Sequence, residues 1–69
     1  MSVTQAREQR GWSKSELARR TGIGLTEICR IESGKIYPYR GWRKKIAIAL
    51  EAPEEKLFPE VVRREGDTN

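Results

Sequence analysis

The sequence predicts an all-α fold built from five short helices. Three observations support this prediction. The first two are that apolar residues recur at intervals of three and four, and that serine, proline or glycine marks most of the expected helix ends. A third observation is that no segment alternates apolar and polar residues, and no Asn-Gly or Asp-Gly pair indicates a hairpin. With 69 residues, 36% hydrophobic and 35% charged, the chain is expected to form one small globular domain.

Two capping boxes predict where the first two helices begin. Ser2 and Gln5 are spaced so that each side chain can bond the other's backbone N–H, which predicts a helix over 3–10, ended by a glycine. Ser13 and Glu16 repeat this pattern directly before an apolar pair. They predict a second helix that ends near position 21, again at a glycine.

The third helix follows the second after a very short connection. Leu25, Ile28 and Ile31 have helical spacing, and Gly24 is a weak but permitted cap. Residues 21–24 join the two helices through a turn that contains two glycines. This layout is typical of a helix-turn-helix unit, in which the second helix enters a DNA groove. The alternative is an ordinary αα-hairpin.

The last two helices are marked less clearly. A fourth helix is expected over 40–51, although no good cap residue precedes it. A fifth is expected over 53–58, with Pro53 as its first residue. The chain is thus predicted to form a helical domain over 1–59, followed by a polar tail over 60–69.

The composition excludes several kinds of chemistry. The chain has no histidine and a single cysteine, Cys29, so it cannot form a Cys/His zinc site, an internal disulfide or a histidine-based catalyst. We therefore expect a protein that is not an enzyme and that needs no metal or cofactor. The sequence shows no signal-peptide pattern and no apolar run that could span a membrane, so we expect a cytoplasmic protein without a membrane partner.

Positive charge is concentrated in the first two thirds of the chain. Residues 1–45 hold 11 Lys or Arg and 4 Glu, a net charge of +7, whereas residues 46–69 hold 3 Lys or Arg and 6 Asp or Glu, a net charge of −3. A basic body with an acidic end indicates a polyanionic partner. An uneven but merely solvated surface is the alternative.

One long segment resembles a known family. The stretch AREQRGWSKSELARRTGIGLTEICRIESGKIYP, followed by KKIAIALEAPEEKLF, is similar to the phage repressor/Cro type of helix-turn-helix domain. That type also occurs in bacterial regulators of the xenobiotic-response-element class. The resemblance covers about residues 3–58 and implies a compact, five-helix, lambda-repressor-like domain. It also implies binding to operator sites in double-stranded DNA, usually as a homodimer.

The resemblance assigns roles to individual residues. Arg7 and Glu32 match a pair that forms an ion pair between the first and third helices, with two separate surface charges as the alternative. The positions expected to read bases follow Gly24 on the third helix and are Leu25, Thr26, Glu27, Cys29 and Arg30. Arginine can bond guanine O6 and N7 together, which makes position 30 the strongest candidate.

Three of these positions have a second interpretation. Leu25 extends the core or meets a thymine methyl group. Glu27 accepts from a cytosine amino group or stabilises the start of its helix, and it would repel a phosphate. Cys29 is interpreted as a small, partly buried side chain, with a redox switch as the alternative.

Other residues are expected to bind the DNA backbone or a second copy of the chain. The predicted backbone contacts are Ser13, Lys14, Lys35, Tyr37, Tyr39, Arg40 and Arg43. The predicted dimer surface consists of Leu57, Phe58, Val61 and Val62, with capping of the domain core as the alternative. The sequence thus predicts a DNA-binding transcriptional regulator that represses its own or a neighbouring promoter. The second hypothesis is a protein-interaction module, such as the antitoxin of a toxin–antitoxin pair, with a partner encoded nearby.

Overall fold

The computed structural model describes residues 2–59, and it confirms the predicted all-α fold. Five helices and no strand occur within these residues. The helices are α1 (Val3–Gln9), α2 (Lys14–Thr21), α3 (Leu25–Glu32), α4 (Arg40–Leu50) and α5 (Glu54–Leu57). None of them has the length and apolar character needed to span a bilayer.

The first two helices begin at the serines that the sequence indicated. Ser2 and Gln5 form a complete capping box, with the Ser2 Oγ accepting from the Gln5 N–H at 3.1 Å and the Ser2 N–H donating to Gln5 Oε1 at 3.0 Å. The Ser13 Oγ likewise accepts from the Glu16 N–H at 3.1 Å. The second box stays half formed, because the Glu16 carboxylate bonds arginines of its own helix instead.

Some helix boundaries differ from those that the local sequence predicts. Gly22 ends α2 in the left-handed region at φ 74°, as expected for glycine. Helix α4 ends in the same conformation at Glu51, with φ 51° and ψ 45°, where an L side chain costs about 1–2 kcal/mol. Helix α5 starts one residue later than predicted, because Pro53 is its cap and not its first residue.

The core joins α2 and α3 to the other helices. Its fully buried side chains are Leu17, Ile28 and Ile46, one each from α2, α3 and α4. These side chains fix the faces that α2 and α3 turn inward, so the opposite face of α3 is presented to solvent.

The connection between α2 and α3 is held by the last residue of α2. The Thr21 hydroxyl donates to the Leu17 carbonyl at 2.9 Å, and the Ile23 N–H donates to the same hydroxyl at 3.2 Å. The side chain of Ile23 is buried in the core. Because both the backbone and the side chain of the turn are anchored, the angle between the two helices is fixed.

The predicted dimer surface is corrected by the structure. Leu57 is 5% exposed and Phe58 is 8% exposed, and both belong to the hydrophobic core. They cap the domain, which was the alternative interpretation, because α5 folds back and packs against α4. Val61 and Val62 lie outside the described residues.

Candidate nucleic-acid interface

Helix α3 presents one polar line of side chains to solvent. Thr26, Arg30 and Ser33 are spaced by four and three residues, so they lie above one another on one face of the helix, and all three are exposed. Ile28 and Ile31 point the opposite way and are buried in the core. The geometry therefore supports the predicted position of Thr26 and Arg30 on an accessible edge of α3.

Leu25 and Cys29 lie on one flank of this exposed line. Leu25 is 46% exposed and stands outside the core, so the interpretation that it extends the core is wrong. Cys29 is half-buried, as the sequence indicated, and it is a free thiol. A half-buried thiol and an exposed leucyl side chain together give this flank an apolar character suited to a thymine methyl group.

Glu27 lies on the opposite flank, in the first turn of α3. Its side chain is half-buried, and it turns back toward Gly24, the cap residue. A Cβ atom added at Gly24 would lie 2.9 Å from Glu27 Oε1. The carboxylate thus lies over the start of α3, where the helix dipole favours a negative charge.

The two residues at the start of α2 that were predicted to bind phosphate are accessible to solvent. Ser13 and Lys14 are both exposed and lie at the N-cap and first position of the helix. The Ser13 Oγ accepts a hydrogen bond from the Glu16 N–H at 3.1 Å. A serine hydroxyl can also donate one hydrogen bond through its O–H. A hydroxyl, an ammonium group and the positive end of a helix meet here, which is a combination that binds phosphate.

The segment between α3 and α4 carries the other predicted backbone contacts. Lys35, Tyr37, Tyr39 and Arg40 are all exposed. Tyr39 packs on the ring of Trp42, with 4.6 Å between the ring centroids, so this tyrosine is held in one orientation. The segment therefore presents cationic and phenolic groups beside the end of α3.

Arg43 does not belong to this surface, and its predicted contact with DNA is wrong. The residue is 4% exposed. Its Nη1 donates to the Pro38 carbonyl at 2.9 Å, and its Nε lies 3.6 Å from Glu54 Oε1. Since a phosphate cannot reach it, we assign Arg43 a structural role: it ties α4 to α5 and to the segment that precedes α4.

Arg7 and Glu32 form an ion pair between α1 and the end of α3. Arg7 Nε lies 2.9 Å from Glu32 Oε2, and Arg7 Nη2 lies 3.2 Å from Oε1. The Thr4 hydroxyl donates to the same Oε1 at 2.8 Å, and Arg7 Nη1 donates to the Trp12 carbonyl at 2.6 Å. The side chains are 9% and 3% exposed, respectively. A bidentate, buried pair of this kind fixes α3 against α1.

Two features of the domain were missed by sequence reasoning. Ser33 joins the exposed line of α3, and the helical spacing from Cys29 and Arg30 could have indicated it. Arg10 donates from Nε and Nη2 to the Leu50 carbonyl, at 3.1 and 2.8 Å, and so completes the end of α4. No local signal indicates that contact, because 40 residues separate the two groups.

The second helix carries a surface charge cluster of its own. Glu16 accepts from both Arg19 and Arg20, with Arg20 Nε 2.6 Å from Oε2. Hydrogen bonds from Arg19 first, and then from Arg20, lower the pKa of Glu16 from its ordinary value of 4.5. The Arg20 guanidinium also lies 4.2 Å from the centre of the Trp12 ring, which is cation–π geometry. These two arginines are therefore engaged within the domain.

Two short helices, the glycine turn between them and an exposed polar line on the second helix define the helix-turn-helix class of DNA-binding domain. A family model described as "Helix-turn-helix domain" matches residues 3–61. The chain belongs to this family, in its Cro/C1 type, as the resemblance indicated. A helix-turn-helix domain of this type is the DNA-binding part of a regulator, and the partner of this chain is therefore DNA. No curated protein and no solved structure matches the chain.

Proposed function

We propose that the chain is a sequence-specific transcriptional repressor that binds a palindromic operator as a homodimer. The observation that carries this proposal is the exposed pair Thr26 and Arg30 on α3, backed by the buried Ile28 and Ile31. An arginine in this position can bond guanine O6 and N7 in the major groove, and a threonine can contact a thymine methyl group or a base edge.

The proposed complex places α3 in the major groove. Ser13 and Lys14 bind phosphates on one side of the groove, and Lys35 with the segment after it binds the backbone on the other. A dimer sets two such helices about 34–36 Å apart, which matches half-sites one helical turn apart. Repression is steric in this mechanism, since a bound dimer covers DNA that polymerase needs. The proposed place of action is the cytoplasm, where operator DNA lies.

The test is a binding titration with DNA from the upstream region of the gene, against a scrambled duplex. Arg30→Ala is expected to relax base preference at one position, at a cost of about 1–3 kcal/mol on the preferred sequence. Lys14→Ala is expected to weaken binding to all sequences alike and to make the log–log salt slope shallower by about 0.9. Absence of binding at low salt would refute the proposal, and sedimentation of the free protein tests the dimer.

A second candidate function is a protein-interaction module, such as an antitoxin. The observation in its favour is apolar surface outside the exposed polar line of α3. An open groove is lined by Ile31, Ile36, Leu57 and Phe58, and Ile48 on α4 is 76% exposed. Co-expression with the product of the adjacent gene tests this candidate, and a stoichiometric complex that no longer binds DNA would favour it over repression.

A further inference from the structure

The helix-turn-helix unit contains three acidic residues, and they differ in how their charge is compensated. Glu16 bonds Arg19 and Arg20, and Glu32 bonds Arg7. Within residues 2–59, no lysine or arginine forms an ion pair with Glu27. Glu27 is therefore the acidic residue of this unit whose negative charge is not offset by a neighbouring cation.

The uncompensated charge lies at the end of α3 that approaches DNA. Gly24 has no side chain to cap the helix, and the Glu27 carboxylate lies against it, 2.9 Å from where a Cβ would be. A helix start is otherwise a favourable place for a phosphate group. Here the helix's own carboxylate occupies that place, so a phosphate that approaches α3 meets a negative charge.

Glu27 also follows Thr26 directly and precedes Arg30 by three residues, so it flanks the exposed line that faces the base edges. In the major groove the partner that suits a carboxylate is the amino group of cytosine N4. A complex held only by phosphate contacts offers no such donor to the carboxylate, whereas a complex in register on a suitable sequence does.

We propose that Glu27 is a specificity-determining residue, which weakens binding to the phosphate backbone of any DNA and is compensated by a cytosine amino group in the operator. This inference rests on the proposed function, because it assumes that α3 enters the major groove. Its effect is selectivity: non-specific complexes bear the repulsion in full, and the operator complex replaces it with a hydrogen bond to a base.

The test compares Glu27→Gln with the wild-type chain on a random-sequence duplex. Removal of one negative charge is equivalent to one additional neutralised phosphate, which changes the log–log salt slope by about −0.9. With the two proteins set to bind equally at about 1 M salt, where screening is nearly complete, this slope makes the variant bind about 15-fold more tightly at about 50 mM salt and about 4-fold more tightly at about 200 mM. Glu8→Gln is the matched control, since Glu8 is an exposed acid on α1, and it should leave the affinity within about 2-fold.

A second measurement examines the base contact. Binding sites are selected from a random duplex library with the wild-type chain and with Glu27→Gln. The wild-type sites should share a cytosine in each half-site that the variant's sites lack. Equal affinity of the two proteins for the random duplex would overturn the inference, as would the same selected sequences. If the wild-type chain binds no duplex at low salt, the proposed function itself fails.

Discussion

The ion pair between α1 and α3 offers the sharpest test of how this domain holds the second helix of its helix-turn-helix unit. Changing Glu32→Ala removes both acceptor oxygens from Arg7, whose Nε and Nη2 bond them at 2.9 and 3.2 Å. It also removes the acceptor of the Thr4 hydroxyl. Arg7 then keeps its hydrogen bond to the Trp12 carbonyl, while its guanidinium stays inside the protein.

The expected loss is large relative to the stability of so small a domain. A folded chain of 69 residues is stable by about 3.5–10 kcal/mol, at about 0.05–0.15 kcal/mol per residue. Removing one partner of a buried pair costs about 3–5 kcal/mol, because the other charge is left uncompensated. Since about 1 kcal/mol corresponds to about 4–8 °C at this size, Glu32→Ala should melt at least about 12 °C below the wild-type chain.

Thermal and urea unfolding, followed by circular dichroism, measure this loss. Glu8→Ala is the control, because Glu8 is an exposed acid on α1 and its removal should cost no more than about 0.5 kcal/mol. The double variant Arg7→Met with Glu32→Leu replaces the pair by apolar side chains of similar size. It should recover most of the loss, because it leaves no buried charge without a partner.

Two results would refute this reasoning. A decrease in Tm of less than about 4 °C for Glu32→Ala would mean that the pair contributes less than about 1 kcal/mol, as an exposed pair does. The second is a double variant that is no more stable than Glu32→Ala. That result would mean that the packing of these two side chains, and not the compensation of their charges, determines the stability at this site.

Three further predictions concern other parts of the domain. Glu51→Gly should raise Tm by about 4–8 °C, because it relieves a left-handed residue that costs about 1–2 kcal/mol and the backbone entropy of glycine offsets only part of that gain, leaving about 1 kcal/mol. Glu51→Ala keeps the strained conformation and should not stabilise the domain. Arg43→Lys should lower the free energy of unfolding by about 1.5–3 kcal/mol through loss of the Pro38 contact, and a changed salt slope of DNA binding at unchanged stability would contradict the structural role. Because hydrogen bonds from arginine lower the pKa of Glu16, its contribution to stability is present above the ordinary carboxyl pKa and is lost as the pH falls through the folded value. The Tm of Glu16→Gln should thus lie below that of the wild-type chain at neutral pH and equal it in strong acid.

The fold could be predicted from local chemistry to within about one residue at most helix ends. Ser2 and Ser13 start their helices because a hydroxyl satisfies a backbone N–H in the first turn, and this needs no knowledge of the rest of the chain. Glu51 shows the limit of such reasoning. Nothing local indicates a left-handed glutamate, and the end of α4 is set there by packing and by Arg10, which bonds the Leu50 carbonyl.

The candidate site was predictable in position but not in the burial of its side chains. Arg40 and Arg43 looked alike in the sequence, as two arginines after the third helix. The structure exposes Arg40 and buries Arg43 beside Glu54. Charge sign alone does not tell whether a guanidinium faces solvent or fills the interior, since its partner comes from an element distant in the chain. Leu57 was misplaced for the same reason, because only the packing of α5 decides which way it points.

The distinction between formal and accessible charge bears on how this domain binds DNA. Residues 1–45 carry 11 cationic side chains, and if all of them neutralised phosphates the log–log salt slope would be about −10 per protomer. Arg7 and Arg43 are instead buried beside Glu32 and Glu54. The exposed cations at the predicted backbone-contact positions are Lys14, Lys35 and Arg40. Three neutralised phosphates correspond to a slope of about −2.7 per protomer. Under the proposed function, backbone contacts of this number leave a larger share of the affinity to base contacts on α3, and selectivity would then depend on few side chains there.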